Sequence, residues 1–492
     1  MVFGGKPSTG CHLCRKRKIK CDEGRPECKN CAIHGKPCPG YRVESVFRNE
    51  TKKVERQVKT QWAVQPQAMD RYYPLTLHSI ADSTWEERAL CFFFDQYTID
   101  PGVEEGMGNF EYLPRMYVHV GNIKEPPASG LISAVNATAL MTFANAVHAP
   151  SLMVQARKSY GKALRSLQLA VSSPTQAAQD ETFASVILLS LYEDITSDRN
   201  NLLSSHTAGF DFLMKVRGEN QLDDQQGRAM FSFAYIQTYV EILMLGDKPR
   251  HDIDWIQGLL DKNNPVESLM IATCSVSQLF RDMQSATSPP HEKTIRSWIA
   301  TSHECDFELL QWPLHIHENW LPLNVYSDNG EFLITYKCIA KAIVWNYYRA
   351  VRIMVQHVLL DLGRSLTSII QKSGRPSDPC VAKIEESDPN AIIQELTTDV
   401  CQTLPFALAD VDILGRPTKP GVGRSIRSGQ GYGLLWPLWY ILSNGMPTPE
   451  QIAQIQSTLY RIGSTLGINL ALTLARETEP LSSNHKSKSR DV

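Results

Sequence analysis

The chain has 492 residues, of which 42% are hydrophobic and 21% charged, and these fractions are ordinary for a soluble globular protein. No apolar run approaches the roughly 18 residues that cross a bilayer, which argues against a membrane protein. The net charge of −2 hides an asymmetry, because residues 1–60 carry 15 Lys and Arg against 6 Asp and Glu, while the remainder carries 35 against 46. A basic head on an acidic body is typical of a nucleic-acid reader joined to a regulatory domain.

Half of the cysteines lie in one short stretch near the start of the chain. They are Cys11, Cys14, Cys21, Cys28, Cys31 and Cys38, in the pattern C-x2-C-x6-C-x6-C-x2-C-x6-C. The two halves of this pattern have the same spacing, so the stretch is an internal repeat that implies two similar metal sites. Thiolates suit zinc, which prefers four ligands in a tetrahedron, and six thiolates can supply two such ions only if two sulfurs bridge.

A disulfide framework is the alternative interpretation of these cysteines. It requires an oxidising compartment, and residues 1–10 contain no apolar segment of the kind that directs secretion. The other six cysteines are scattered along the chain and are expected to be reduced, mostly buried thiols. We therefore expect zinc rather than disulfides.

A run of cations lies between the second and third cysteines of the repeat. Its members are Arg15, Lys16, Arg17, Lys18 and Lys20. Such a surface attracts phosphate and releases counterions, and a Lys or Arg at the end of a short helix can also bond guanine in the major groove. An isolated run of this kind is more simply interpreted as a solvated surface or a nuclear-import signal. The cysteines on either side of it favour DNA reading, and an import signal can overlap with that role.

Residues 11–40 resemble the DNA-binding domain of fungal binuclear-zinc-cluster transcription factors, in the cysteine spacing, the basic run and a proline before the fourth cysteine. The resemblance implies two Zn²⁺ ions per chain, with Cys11 and Cys28 as the bridging ligands. The ligands that complete the sites are then Cys14 and Cys21 for one ion, and Cys31 and Cys38 for the other. It also implies that Lys18, helped by Arg17, contacts a CGG-type triplet in the major groove.

The chain after the repeat begins with a charged, Gln-rich stretch at 41–84 that lacks sustained heptads, so we expect a linker there rather than a dimerising coiled coil. From residue 85 onwards apolar residues recur at helical spacing, and Ser83 with Glu86 forms a candidate capping box for the first helix. Further helices are predicted at 133–149, 156–171, 183–192, 210–214, 230–245 and 333–362. The segment 183–192 is apolar almost all round, which predicts a central helix. Strict apolar–polar alternation is nearly absent, which predicts few strands.

The helical part resembles the fungal-specific transcription factor domain over roughly residues 85–475. The residues that carry the resemblance are Ala156-Arg157-Lys158-Ser159-Tyr160, Ala163-Leu164, Leu191-Tyr192-Glu193, His206, Gly209, Arg217-Gly218, Trp345-Asn346, Tyr348-Arg349, Arg352, Trp436-Pro437-Leu438 and Arg461-Ile462-Gly463. The resemblance implies a helical regulatory region, which in some members senses small molecules. His206 itself is expected to be a satisfied core or interface histidine rather than a catalyst.

We therefore expect a mostly α protein that joins a small N-terminal binuclear zinc cluster module to a large all-α regulatory domain. The expected divisions are a flexible N-terminus at 1–10, the zinc module at 11–40, a linker at 41–84, the regulatory domain at 85–475 and a disordered tail at 476–492. The sequence contains no Walker, HExxH or GxSxG motif, so we expect no enzyme activity.

The expected function is zinc-dependent, sequence-specific regulation of RNA polymerase II transcription in the nucleus, through CGG-type half-sites and with metabolic or biosynthetic genes as targets. The expected partners are double-stranded DNA, the transcription machinery or coregulators, and a second copy of the chain bound through the α-helical domain, with no membrane. The alternative is a corepressor-recruiting or architectural DNA-binding protein without activation capacity.

Overall fold

The computed structural model describes residues 10–24, 26–40, 84–98, 110–120, 126–197, 206–245, 257–286, 289–373, 375, 378–418 and 426–476. The chain divides into two compact units, Met1–Arg48 and Asn49–Val492. The expected flexible N-terminus, linker and disordered tail lie almost entirely outside the described residues, so these three expectations stay predictions.

Within residues 10–24 and 26–40, the first unit has two short helices, α1 at His12–Lys16 and α2 at Lys29–Ile33. Each helix begins directly after a cysteine of the repeat and buries the next cysteine of the same half. The core of this unit consists of four fully buried cysteines, with Leu13 and the other two cysteines of the repeat partly buried against it. An interior built from thiols offers little hydrocarbon to bury, so the hydrophobic effect alone is too weak to stabilise it.

The second unit is helical along most of its described length. Its first half contains α3 (Trp85–Tyr97), α4 (Leu113–Val120), α5 (Pro126–Val147), α6 (Pro150–Val171), α7 (Pro174–Ala177), α8 (Asp180–Thr196), α9 (Thr207–Arg217), a 3-10 turn (Glu219–Leu222) and α10 (Gln225–Leu245). Its second half contains α11 (Pro265–Ser285), α12 (Glu292–His315), a 3-10 turn (Glu318–Trp320), strands β1 (Leu323–Tyr326) and β2 (Phe332–Thr335), α13 (Ile339–Lys372), α14 (Pro379–Ser387), α15 (Pro389–Ala407), α16 (Ser428–Asn444), α17 (Pro449–Leu466) and α18 (Asn469–Arg476). The prediction of a mostly α protein with few strands is confirmed.

Two helices form the centre of the second unit. α8 is buried without interruption from Thr182 to Tyr192, as its all-round apolar sequence predicted, and it packs against α5, α6, α9, α10 and α18. α13 is 34 residues long and packs against α12, α15 and α16. α8 therefore buries most of its circumference, which is the arrangement expected of a helix that is apolar all round.

The start of the longest helix differs from its prediction. Residues from Leu333 form strand β2 instead of the first helical turn, because the aromatic and β-branched run Phe332–Thr335 pairs antiparallel with Leu323–Tyr326 across a tight turn. α13 begins only at Ile339, after this hairpin has ended. Helical spacing of apolar residues cannot by itself distinguish such a short apolar strand from a helix end.

The predicted capping box of the first helix lies one residue further along the chain. The Glu87 N–H donates to Thr84 Oγ1 at 3.2 Å, and the Thr84 N–H donates to Glu87 Oε2 at 2.8 Å. The prediction of Ser83 and Glu86 as the pair is therefore wrong, although the type of cap and its place at the start of the helix are right.

Two helices are long and apolar enough to cross a bilayer, contrary to the expectation that no such segment exists. Pro127–Val147 and Ile339–Lys372 have mean hydropathies of 1.4 and 1.2 over 18-residue windows, enough for a membrane span by length and composition. However, 67% and 56% of the residues in those windows are buried inside the protein. Core helices of soluble proteins pass the same test, so these two helices are weak support for a membrane span.

A buried amide holds three helix ends together. Asn145 on α5 donates through Nδ2 to the carbonyl oxygen of Gly467 at 2.7 Å and to that of Ile195 at 3.3 Å. Gly467 has a φ of +73°, and a Cβ at this position would lie 2.8 Å from the Asn145 Cβ. Only glycine allows this approach, and the amide in return satisfies two carbonyls that the ends of α8 and α17 leave unpaired.

We predict that Asn145→Leu lowers the free energy of unfolding by about 1–3 kcal/mol, because two buried carbonyls lose their donor. Thermal melting followed by circular dichroism measures the effect. Val147→Ala, on a half-exposed side chain at the end of the same helix, is the control and should melt like the wild type. Equal melting temperatures for Asn145→Leu and the wild type would contradict the role assigned to this amide.

Candidate metal centre and nucleic-acid interface

The structure brings the six cysteines of the repeat into two groups of four. One group is Cys11, Cys14, Cys21 and Cys28, the other is Cys11, Cys28, Cys31 and Cys38, and within each group all sulfurs lie within 4.8 Å of one another. Cys11 Sγ lies 3.7 Å from Cys28 Sγ and 3.5 Å from Cys31 Sγ, and Cys14 Sγ lies 3.7 Å from Cys28 Sγ. A tetrahedron with Zn–S bonds of about 2.3 Å has edges of about 3.8 Å, so these distances fit zinc. They are far longer than the roughly 2.05 Å of a disulfide, and all six thiols are free.

The thiols of the cluster need a cation to be ionised together. The Cys14 N–H donates to Cys11 Sγ at 3.4 Å, and this bond lowers the pKa of the Cys11 thiol to about 6. Burial, with neighbouring sulfurs, raises the pKa of Cys14 to about 12, and burial also raises the pKa of Cys28 and Cys31. Zinc binds thiolates, so two divalent ions would offset the burial that raises the pKa of Cys14, Cys28 and Cys31.

The end of α1 carries a non-glycine residue in the left-handed region of backbone conformation. Lys18 has a φ of +56°. Its N–H donates to Arg15 O at 3.1 Å, and the Ile19 N–H donates to Cys14 O at 3.1 Å. This is the Schellman arrangement, which satisfies the last carbonyls of a helix and usually places glycine at the left-handed position.

The second half of the repeat ends its helix in the same way, with glycine. Gly35 has a φ of +68°, its N–H donates to Ala32 O at 3.0 Å, and the Lys36 N–H donates to Cys31 O at 3.3 Å. Gly35 follows the first cysteine of its half by the same seven residues as Lys18. The fold therefore accepts glycine at this position, and lysine in the first half costs about 1 kcal/mol of backbone strain. A strained backbone at Lys18, where glycine would be relaxed, points to a function for the lysine side chain.

The five cations of the predicted DNA-binding set form one exposed patch, which we call the basic segment, residues 15–20. Arg15 and Lys16 end α1, Arg17 caps it, and Lys18 and Lys20 follow in the turn beyond. All five side chains are exposed. The C-terminal end of a helix also favours cations through its dipole. The segment can therefore meet a phosphate backbone while Lys18 stands at the point where the chain turns away from the helix.

The second half of the repeat lacks such a patch. The residues at the positions of 15 to 18 are Ala32, Ile33, His34 and Gly35. The two halves thus share a cysteine scaffold and a helix cap, but only the first carries a continuous run of cations, the kind of surface that nucleic acid attracts. The difference in charge between the two halves therefore comes from side chains that do not bind metal.

Two polar residues join the halves, and sequence analysis did not identify them. Asp22 Oδ2 accepts from the Lys29 N–H at 3.0 Å, and Asp22 Oδ1 accepts from the Asn30 N–H at 3.4 Å. Asn30 Nδ2 donates to the Lys20 carbonyl oxygen at 2.8 Å. The signal in the sequence was that cysteine is not among the residues that commonly cap helices, so the first N–H groups of a helix after Cys28 needed another acceptor.

In the helical unit, the family-like residues make structural contacts. His206 Nε2 lies 3.2 Å from Glu193 Oε1, and Tyr160 donates its hydroxyl to the same oxygen at 3.0 Å. His206 and Glu193 are largely buried, so His206 lies in the core of the unit, and its having no catalytic role stays a prediction. Arg349 Nε pairs with Asp399 at 3.3 Å, and this pair joins α13 to α15.

Comparison with known families agrees with both parts of this description. The model of the fungal Zn(2)-Cys(6) binuclear cluster domain matches residues 9–45, and the model of the fungal specific transcription factor domain matches residues 124–375. The chain belongs to the family of fungal transcription factors that join these two domains. The cluster domain binds two zinc ions, and zinc is therefore the cofactor of this chain.

Three individual relatives are similar to this chain over short segments of 33 to 41 residues. The Zn(2)-C6 fungal-type transcription factor afumD of Aspergillus fumigatus is 58% identical over 33 residues, which is 7% of this chain and 9% of the relative. A Zn(2)-C6 fungal-type transcription factor of Gibberella zeae is 61% identical over 33 residues, 7% of each chain. White-opaque regulator 2 of Candida albicans is 59% identical over 41 residues, 8% of this chain and 9% of the relative. The match thus spans less than a tenth of the length of these relatives, and no solved structure matches the chain.

We predict that a variant of a cysteine belonging to both groups of four loses more zinc than a variant of a cysteine belonging to one group. Cys11→Ser removes a sulfur that belongs to both groups of four and should reduce the zinc content below one ion per chain, whereas Cys38→Ser should leave one ion. Native mass spectrometry counts the ions. Cys91→Ser, at an exposed thiol on α3, is the matched control and should keep two. Equal zinc content in Cys11→Ser and Cys38→Ser would argue against shared ligands.

Proposed function

We propose that this chain is a nuclear, zinc-dependent, sequence-specific DNA-binding protein that regulates RNA polymerase II transcription, with metabolic or biosynthetic genes as its targets. The observation that carries the proposal is the exposed basic segment, which starts one residue after Cys14 and ends one residue before Cys21. The segment that would contact DNA is therefore joined at each end to a predicted metal ligand. The proposed limits of the two domains are residues 11–40 and 85–475.

In the proposed metal centre, Cys11 and Cys28 bridge the two ions. The remaining ligands are Cys14 and Cys21 at one ion and Cys31 and Cys38 at the other. The membership of Cys11 and Cys28 in both groups of four sulfurs supports this assignment. The ions supply the cohesion that a hydrophobic core supplies elsewhere, and they fix the end of α1 in space.

In the proposed DNA complex, the basic segment divides the work of recognition. Arg15, Lys16 and Lys20 bind phosphates, which fixes the register of the module without reading sequence. Lys18, with Arg17 beside it, contacts guanine N7 and O6 of a CGG-type triplet in the major groove. The strained backbone of Lys18 supports this division, because a phosphate contact can be made from the unstrained positions beside it, whereas a lysine kept at a strained position points to a contact that depends on position.

We further propose that the helical domain regulates and assembles rather than catalyses. Several of its family-like polar residues are engaged in structural pairs, such as Arg352 Nε with Asp306 Oδ1 at 3.0 Å. One exposed apolar stripe on α12 offers a surface for a second copy of the chain. It consists of Ala300, Phe307, Leu310 and Leu314, at heptad spacing, and Phe307 and Leu314 are 63% and 74% exposed.

A second copy suits the needs of recognition. A single zinc module of this size reads about three base pairs, which is too few to select a site in a genome. Two modules joined through their helical domains would read two half-sites and multiply the discrimination. Dimerisation through the helical domain also agrees with the lack of sustained heptads between residues 41 and 84.

We predict that Lys18→Gly weakens binding to the preferred duplex by about 1–3 kcal/mol, as for the loss of a base-edge contact. Glycine is chosen because Gly35 occupies the same position in the second half, so the substitution should keep or improve the stability of the module. Titration of preferred and scrambled duplexes at one salt concentration measures the effect. Lys36→Ala, outside the basic segment, is the control and should change affinity little. Equal losses on both duplexes would restrict Lys18 to phosphate binding.

We also predict that Phe307→Glu together with Leu314→Glu converts a dimer to a monomer, because charge replaces the apolar stripe on α12. Sedimentation velocity of the full chain at micromolar concentration measures the change. Val118→Glu, on an exposed apolar side chain of α4, is the control and should leave the dimer intact. A dimer that persists in the double variant, or a monomeric wild type, would refute assembly through this stripe.

A further inference from the structure

Asp22 and Asn30 form hydrogen bonds between the two halves of the cysteine repeat that involve no ligand sulfur. Asp22 has Pro39 as its counterpart in the second half, and Asn30 has Leu13 as its counterpart in the first. Neither counterpart has a side chain that can donate or accept a hydrogen bond. The same cysteine spacing is thus built twice, and only one of the two versions contains this pair of polar residues.

Asp22 replaces the missing cap of α2. In α1 the residue before the helix, Cys11, accepts the Cys14 N–H through its sulfur, but Cys28 makes no such bond to α2. The Asp22 carboxylate instead accepts the first two N–H groups of α2, from Lys29 and Asn30. A carboxylate at the start of a helix is favourable both as an acceptor and through the helix dipole.

Asn30 continues the connection to the DNA-binding side. Its Nδ2 donates to the carbonyl oxygen of Lys20, the last residue of the basic segment, at 2.8 Å. Asp22 holds the backbone of Asn30, and Asn30 holds the backbone of Lys20, so the two side chains close a ring of contacts around Cys21. This ring fixes the exit of the basic segment relative to α2.

We infer that Asp22 and Asn30 are positioning residues that set the DNA sequence specificity of the basic segment. The inference rests on the proposed function of that segment in reading DNA. Lysine and arginine reach phosphates through long, flexible side chains, so small displacements of the backbone alter phosphate binding little. A base-edge contact from Lys18 requires its backbone to be held within about 0.5 Å, so the same displacement weakens sequence reading.

The test compares full-length variants on two duplexes, the one that the wild type selects from a random pool and a scrambled one. Asn30→Ala removes the donor to Lys20, and Asp22→Ala removes the cap of α2. Each should weaken binding to the selected duplex about three- to tenfold, with the scrambled duplex changed less than twofold and the slope of affinity against salt unchanged. Asp22→Asn keeps one acceptor oxygen and should show a smaller loss than Asp22→Ala.

A matched control and a zinc count distinguish positioning from folding. Ile33→Ala changes an 84% exposed side chain on the same helix and should leave both affinities unchanged. Native mass spectrometry should find two zinc ions in every variant. Equal losses on both duplexes, loss of zinc in Asn30→Ala, or unchanged specificity in both alanine variants would overturn the inference. A wild-type protein that prefers no duplex would instead refute the proposed function itself.

Discussion

The attraction between thiolates and divalent cations is the interaction on which the DNA-binding part of this protein depends. The first unit has a core of cysteines, with sulfurs 3.5–3.7 Å apart and almost no buried hydrocarbon. Without metal, burial keeps most of these thiols protonated and leaves little to oppose the conformational entropy of the chain. With metal, the same sulfurs become ligands, and the helices that begin after Cys11 and Cys28 acquire fixed positions.

The repeat shows how one scaffold can carry two different surfaces. Both halves have the same cysteine spacing and the same helix-ending hydrogen bonds, but the first half ends in a strained lysine and the second in glycine. The cost of about 1 kcal/mol for a left-handed lysine is small beside the energy of zinc ligation. The metal centre therefore provides the stability that permits an unfavourable conformation at the residue proposed to read DNA.

The sequence predicted the metal, the basic segment and the helical character of the second unit, because each leaves a local pattern in the chain. Cysteine spacing, charge clustering and apolar periodicity all refer to residues that are close in sequence. The central position of α8 followed from the same logic, since a helix that is apolar all round has to be buried.

Features that depend on distant partners could not be predicted in this way. The hairpin at Leu323–Tyr326 and Phe332–Thr335 replaced the expected start of a helix because its strands pair with each other. The bonds of Asp22 to α2 and of Asn30 to Lys20 cross seven to ten positions of the chain and follow no motif. The exposed stripe on α12 could not be predicted either, because apolar residues at this spacing in the sequence are equally typical of a buried helix face.

The most direct test of this account is selection from a pool of random DNA duplexes by the full-length protein, performed with zinc and after chelation of zinc. The account predicts that the zinc-loaded protein enriches duplexes that share a short G- and C-containing triplet, and that the chelated protein enriches none. It further predicts that Lys18→Gly loses the enrichment while still binding two zinc ions. Enrichment that survives chelation, or a zinc-loaded wild type that selects no common sequence, would contradict the claim that the metal centre orders a DNA-reading segment.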